Sequence, residues 1–296
     1  MAKAGEPYRI VHLSDLHLTR SDGRARTEMD LFRPLRGMNA AFRKVLDSDA
    51  VHRAHRILVT GDVTDRGDAY SWEIFWKELE ARDLAEKALV VPGNHDVCCL
   101  GVRLPGARKG YRKEDLRKAA AGLRRGGLPV RFPWAVRTDP RVAVFGLNSN
   151  NLGNLTAAGN ALGDLGYYQL KGLAESLHRH RDAPVKIVAL HHSPNIPGED
   201  TARKRGQRPL SALERLGHQI PRPQRQALLL LCVTHRVRLL LHGHLHTAED
   251  RRVSGIRIVG APAATEPDGS GNLRFWDYAV SPDGGRVRCT LAICGG

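Results

Sequence analysis

Cysteine is scarce and scattered in this chain. The five cysteines, Cys98, Cys99, Cys232, Cys289 and Cys294, are odd in number and form no Cys-x-x-Cys knuckle. A disulfide framework is not expected in a chain this long, and a reducing, cytoplasmic setting fits the usage. Aromatic residues make up only 5% of the sequence. No clear nucleic-acid-binding motif interleaves them with the basic stretches, which argues against a surface that stacks nucleic-acid bases. The longest apolar run, Ala227–Val233, is far too short to span a bilayer. Met1–Pro7 is polar and holds no apolar segment of the kind a signal peptide needs. Acidic residues are outnumbered, 31 Asp and Glu against 46 Lys and Arg, giving a formal net charge of +15. Such a surface draws in anions, phosphate-bearing ones included, without requiring a nucleic-acid groove.

What is present is a layered pattern. Apolar residues are 42% of the 296, enough for a substantial core. Tyr8–Leu13, Arg56–Thr60, Ala88–Val91, Val142–Leu147, Val185–Leu190 and Arg238–Leu241 read as short buried strands. Leu31–Asp47, Tyr70–Arg82, Asp164–Arg181 and Pro223–His235 carry helical spacing, with Trp72, Phe75, Trp76 and Leu79 on one stripe. The alternation predicts α/β packing. No repeat, low-complexity tract or flexible linker divides the chain, so residues 1–296 are expected to form one domain. Two basic segments, 98–133 and 195–222, interrupt the rhythm and read as insertions, the first with a helix over Glu114–Arg124. Short β-like runs separated by turn residues fill the tail from Arg252 to Ile293.

Five short motifs each follow an apolar run: Asp15-Leu16-His17, Gly61-Asp62, Gly93-Asn94-His95-Asp96, His191-His192-Ser193-Pro194 and Gly243-His244-Leu245-His246. They place oxygen and imidazole ligands at the exit ends of strands, where open α/β sheets build their sites. If Asp15 and His17 continue an extended strand, residues two apart point the same way and meet one ion. His244 and His246 repeat the arrangement. Asp62, on a Gly turn, has two oxygens that could bridge two ions, and Asn94 offers a neutral carbonyl oxygen. Any one motif alone reads as an ordinary polar turn; their combination and order point to a two-metal centre.

With those motifs in view, the chain resembles the calcineurin-like metallophosphoesterase superfamily, through "VHLSDLHL", "GDVTDRG", "VPGNHD", "ALHHSP" and "LLHGHLH" over about Tyr8 to Tyr278. Within it, the chain is most similar to bacterial class III cyclic-nucleotide phosphodiesterases and related glycerophosphodiesterases. The resemblance implies a four-layer α/β/β/α sandwich of two mixed sheets. It implies one ion held by Asp15, His17, Asp62 and His246, and another by Asp62, Asn94, His192 and His244. The family pattern His-x-Pro selects His192 and leaves His191 as a supporting residue. His95 would contact the phosphate and protonate the leaving oxygen, with Asp65 or Asp96 fixing its tautomer and Arg66 touching phosphate. The ligand set suits two transition-metal ions such as Mn, Fe or Zn.

The expected activity is metal-dependent hydrolysis of a small phosphodiester, with cyclic nucleotides first among candidates. Arg103, Lys109 or Arg112 of the first insertion would meet the anionic substrate. A nuclease or a phosphomonoesterase of the same superfamily is the alternative within catalysis. A non-catalytic scaffold is the alternative outside it, disfavoured because every matched ligand is retained. Nucleic acid is not the favoured partner, no membrane association is expected, and the sequence does not set the oligomeric state.

Overall fold

The computed structural model describes residues 5–26, 35–97, 113–150, 161–196 and 218–295. The first sheet holds β1 (Tyr8–Leu13), β2 (Arg56–Thr60), β3 (Ala88–Val91), β10 (Asn272–Val280) and β11 (Val287–Gly295), in the order β11-β10-β1-β2-β3. β1, β2 and β3 run parallel, and the tail strands pair antiparallel on the far side of β1. The second sheet holds β4 (Trp134–Asp139), β5 (Val142–Gly146), β6 (Val185–Ala189), β7 (Leu239–His242), β8 (Glu249–Val253) and β9 (Ile256–Gly260), in the order β4-β5-β6-β7-β9-β8. Its four central strands are parallel and its two edges antiparallel. Both sheets are therefore mixed.

The pleat sorts side chains into three cores. Ile57 and Val59 face outward to α1 (Met38–Leu46) and α3 (Ala69–Glu80), packing with Phe42, Trp72, Phe75 and Trp76. Leu58, between them, faces the second sheet and packs with Ile187, Leu239 and Leu241. Leu240 alternates to the opposite side, where Leu173 and Leu177 of α6 (Tyr167–Arg179) meet Leu228 and Cys232 of α7 (Arg222–Thr234). Helix, sheet, sheet, helix is the four-layer arrangement expected. Each fully buried large side chain contributes about 1.5–3 kcal/mol. A polar pin crosses the first sheet: His12 of β1 contacts Tyr278 of β10 at 2.9 Å and Thr60 of β2 at 2.8 Å.

α3 begins where Asp68 caps it, its side chain accepting from the Ser71 N–H. α1 starts at Met38, behind Gly37 at φ +82°, so the helix read from Leu31 is shorter among the described residues. A short helix α2 (Asp49–His52) follows. The first basic segment is not all loop. α5 (Lys113–Arg125) follows α4 (Asn94–Val97) in the chain and packs on α3. The Trp76 indole N–H donates to the Gly122 carbonyl at 2.7 Å, and Leu123 joins the first core. Arg103, Lys109 and Arg112 lie outside the described residues, as does most of the second basic segment.

Candidate metal centre

Every motif leaves the carboxyl end of a parallel strand: β1, β2 and β3 in one sheet, β6 and β7 in the other. The first two loops run side by side. Asp15 N–H donates to the Gly61 carbonyl at 3.0 Å, His17 N–H to that of Asp62 at 2.9 Å, and Leu18 N–H to that of Val63 at 2.9 Å. The sheets are stitched above the site, because His191 Nδ1 lies 2.7 Å from the Thr60 carbonyl and the His244 N–H reaches both Asp15 oxygens at 3.1 Å.

The expectation that Asp15 and His17 converge by strand pleating is corrected. β1 ends at Leu13, and both residues sit in the left-handed region, at φ 53° and 45°. Asp62, His244 and His246 do the same, at φ 50°, 70° and 52°. These five account for most of the eight described non-glycine residues with positive φ. Such a conformation costs an L-residue about 1–2 kcal/mol, and its concentration in one place marks strain held for function. Close approach also fixes two glycines. A Cβ on Gly93 would collide with the Asp62 carboxylate, and one on Gly243 with the Ser14 hydroxyl.

Three groups of donor atoms result, the third, His17, Asp65 and His95, sharing His17 with the first. In the first, Asp15, His17 and His246 bring ligand atoms within 4.8 Å of one another. His17 Nε2 lies 3.3 Å from His246 Nε2, which lies 3.4 Å from Asp15 Oδ1. In the second, Asp62, His191 and His244 do the same. His191 Nε2 lies 2.9 Å from Asn94 Oδ1, 3.2 Å from His244 Nδ1 and 3.3 Å from Asp62 Oδ2. That Asp62 oxygen is also 3.8 Å from His17 Nε2, so Asp62 stands between the first and second groups.

The chemistry of these atoms fits cations. A carbonyl oxygen only accepts, so His191 Nδ1 must carry the proton donated to Thr60. In the neutral ring Nε2 then turns a bare lone pair towards two acceptor oxygens and another ring nitrogen. A proton or a cation has to sit among them. Without a cation the ring takes the proton: burial opposes the charge, but Asp62 outweighs it and pushes His191 up to about 9. Burial, with neighbouring histidines, holds His17 and His244 well below the usual imidazole range, so both are neutral lone-pair donors. Burial would raise the Asp62 carboxyl, yet His191 and His95 hold it well below its usual range.

The geometry bears on the choice between His191 and His192. His191, not His192, converges on Asp62, Asn94 and His244. His192 points its Nδ1 at the Ser149 hydroxyl at 2.9 Å, and its backbone N–H donates to the same oxygen at 3.0 Å. Its ring packs against His244, centroids 4.4 Å apart. β6 ends at Ala189, and the rings of the two adjacent histidines stand 83° to one another.

His95 is buried beside the first group, its ring 4.6 Å from that of His17. Its backbone N–H donates to Asp62 Oδ1 at 2.8 Å, and its Nδ1 lies 2.9 Å from the carbonyl oxygen of Asp65. The carbonyl oxygen only accepts, so Nδ1 carries the proton and main chain takes part in setting the tautomer. The Asp65 carboxylate instead holds Arg66, Nε to Oδ2 at 3.3 Å, and lies 3.9 Å from His17 Nδ1. Asp96 does something different. It accepts from the N–H groups of Val63, Thr64 and Gly93 and from the Thr64 hydroxyl, clasping two motif loops together. Burial and the Asp62 charge push its carboxyl up to about 6 against those hydrogen bonds.

Two supporting residues escaped the sequence reading. His218 places Nδ1 2.9 Å from His244 Nε2, on the side of that ring away from His191. Glu266 lies 3.5 Å from His246 Nδ1 and is gripped by Arg26 at 3.0 Å. Partners of this kind orient ligand imidazoles. Neither His218, in a basic segment, nor Glu266, in the β-rich tail, belongs to a motif, so no local spacing marks them.

The family profile described as calcineurin-like phosphoesterase matches residues 8–248. The chain belongs to that family of metal-dependent phosphoric ester hydrolases, whose members use a dinuclear centre. Among solved structures, a dimetal phosphatase from Danio rerio superposes with a TM-score of 0.66 at 13% identity, covering 98% of this chain and 96% of that one. PhoD superposes with a TM-score of 0.62 at 11% identity, covering 100% and 70%. The purple acid phosphatase PPD1 of yellow lupin gives 0.56 at 13% identity, covering 97% and 54%. At these identities the likeness is one of fold. No curated protein matches the sequence. Among the described residues no helix is long and apolar enough to cross a membrane.

Proposed function

We propose that this chain hydrolyses phosphodiester bonds of small molecules with two transition-metal ions, cyclic nucleotides being the first candidate substrates. The observation that supports it best is the pair of lone-pair clusters sharing Asp62. Asp15, His17, Asp62 and His246 would hold one ion, and Asp62, Asn94, His191 and His244 the other. Two such ions supply water activation near neutral pH and offset charge on the phosphoryl oxygens. Nitrogen and oxygen donors without sulfur suit Mn, Fe or Zn.

The chain's own groups divide the remaining work. Asp15 and Asp62 bring two negative charges, which two divalent ions exceed, so the site attracts a phosphodiester anion; the +15 chain acts in the same direction. Arg66, part-exposed and anchored by Asp65, binds a phosphoryl oxygen at the rim. His95, its Nδ1 directed to the Asp65 carbonyl, gives a proton from Nε2 to the leaving oxygen, a role worth about 10²–10⁴-fold. The preference for a diester rests on the motif resemblance to class III phosphodiesterases, and a cytoplasmic setting rests on the cysteine usage.

The test is a hydrolysis panel run with Mn²⁺ and with chelator. It contains 2′,3′- and 3′,5′-cyclic nucleotides, a glycerophosphodiester, nitrophenyl phosphate and single-stranded DNA. Cyclic nucleotides should turn over fastest, and chelator should stop the reaction. Faster turnover of the monoester makes the protein a phosphomonoesterase, degradation of DNA makes it a nuclease, and inertness towards all with Mn²⁺ makes it a scaffold.

A further inference from the structure

At the amino ends of β6, β7 and β9, opposite the metal loops, lies a cleft of about 660 Å³. Four turns build it: the α6–β6 turn, the α7–β7 turn, and the hairpins joining β8 to β9 and β10 to β11. Strands of four or five residues at ~3.3 Å each place it roughly 13–17 Å from the motif loops. Its walls carry Arg181, Lys186, Arg236 and Arg238, while Val237 and Ile256 form an apolar floor.

Charge in the cleft is not balanced from within. Its two acids offset only half of the four cations: Asp182 pairs with Arg137 at 2.7 Å and also acts on Lys186, and Asp283 accepts from the Ser281 hydroxyl and the Gly285 N–H. Lys186 is only 5% exposed, and its ammonium donates to the Ala183 carbonyl at 3.0 Å. Burial, with Arg236 and Arg238 close by, holds it below the usual lysine range, Asp182 offsetting this in part. A buried ammonium flanked by guanidinium groups is a costly arrangement that a bound anion relieves. The position is also held firmly, since Gly284 at the hairpin tip packs against Pro184 in a left-handed conformation that favours glycine.

We infer that this cleft is a second binding site, separate from the metal centre, for a small polyphosphate-type anion. The four cations of the lining exceed its two carboxylates by two charges, more than one monoanionic group can satisfy. The volume lies in the range of small-molecule sites, and the apolar floor would accept an organic portion next to the charged groups. Arginine forks on such a rim suit paired phosphoryl oxygens.

Methylenediphosphonate, which resists hydrolysis, serves as the probe. The full metal-loaded chain is titrated by calorimetry beside Asp62→Asn, the double variant Arg181→Gln/Arg236→Gln, and the control Arg53→Gln, an exposed arginine far along the sequence from the cleft. Arg236 already sits at φ 53°, so Gln there adds no new backbone cost. One saturable event should persist in Asp62→Asn and weaken tenfold or more in the double variant, whose phosphoester hydrolysis is unchanged. Absence of saturable binding in Asp62→Asn overturns the inference. So does binding that survives the double variant, or binding that falls equally in Arg53→Gln. Circular dichroism confirms that each variant is folded.

Discussion

The two ends of the second sheet share strands and differ in chemistry. At the carboxyl ends, loops of this sheet bring His191, His244 and His246 to the Asp15 and Asp62 carboxylates of the first sheet, an arrangement that asks for cations. At the amino ends, ordinary turns hold a buried lysine and exposed arginines around an apolar floor, an arrangement that asks for an anion. The framework is common to both, so the loops decide the chemistry. The backbone differs as well. Positive φ at non-glycine residues gathers at the metal loops, with five residues there, whereas the cleft has Arg236 and Ser254. Strain is tolerated where several donor atoms must meet within a few ångströms. It is not needed where long, flexible cationic side chains reach inward by themselves.

The largest effect that would break this contrast is expected at Asp62. Asp62→Asn removes the charge between the first two donor groups. We expect loss of bound metal by elemental analysis and a fall in turnover of about 10³-fold or more, with the opposite cleft still able to bind its probe. Full metal content with intact turnover would overturn the shared-carboxylate arrangement. A companion pair sharpens it. His191→Ala should lose one of two ions, while His192→Ala should keep both and lose about 10–100-fold of affinity or activity, because it touches His244 without facing Asp62. Equal metal content in the two variants would contradict the geometric assignment.

Legibility in the sequence follows the same division. The motif end was readable because each ligand type stands next to a strand end in a fixed local pattern, and chemistry restricts what such residues do together. Asp15, His17, Asp62, Asn94, His244 and His246 all reach the site. The local route was misread for Asp15 and His17, since side-chain direction depends on φ and the sequence does not print a left-handed turn at Asp or His. His191 was read as a supporting residue beside a His192 ligand, and the structure brings His191 to Asp62, Asn94 and His244 instead. Most strands and helices were found within a few residues because alternation and helical stripes are driven by burial, whereas β4 and the short α2 were not read. The cleft left no local mark. Its four turns are far apart in sequence, and its arginines are indistinguishable from solvated ones until tertiary packing buries Lys186 among them.

A smaller effect probes how firmly the metal loops are clasped. Asp96 meets four donors with two carboxylate oxygens. Asp96→Asn retains one acceptor and turns an NH₂ towards N–H groups, leaving buried donors unsatisfied. The cost should be about 2–3 kcal/mol, read as a fall of several degrees in Tm. An unchanged Tm would show that the loops are held by their backbone ladder alone, and that the carboxylate is incidental to the clasp.

The smallest effect concerns the floor of the cleft. Cys232 is fully buried beneath it, between α7 and the third core, and burial alone pushes its thiol up to about 12 from an ordinary 9. A raised folded-state value has a definite sign. The thiol's contribution to folding is complete below about 9 and is lost as pH rises towards 12. At pH 8 the thiolate fraction is then about 10⁻⁴, against about a tenth in an unfolded chain, and thiolate is the reactive form. Native protein treated with iodoacetamide at pH 8 should therefore leave the Cys232 peptide unmodified, while the same peptide is labelled in guanidinium. Rapid native labelling would mean that α7 opens from the sheet and that the cleft has no rigid floor. The contrast between a strained, tightly donor-packed end and a simple, firmly walled one would then fail at the second of the two ends.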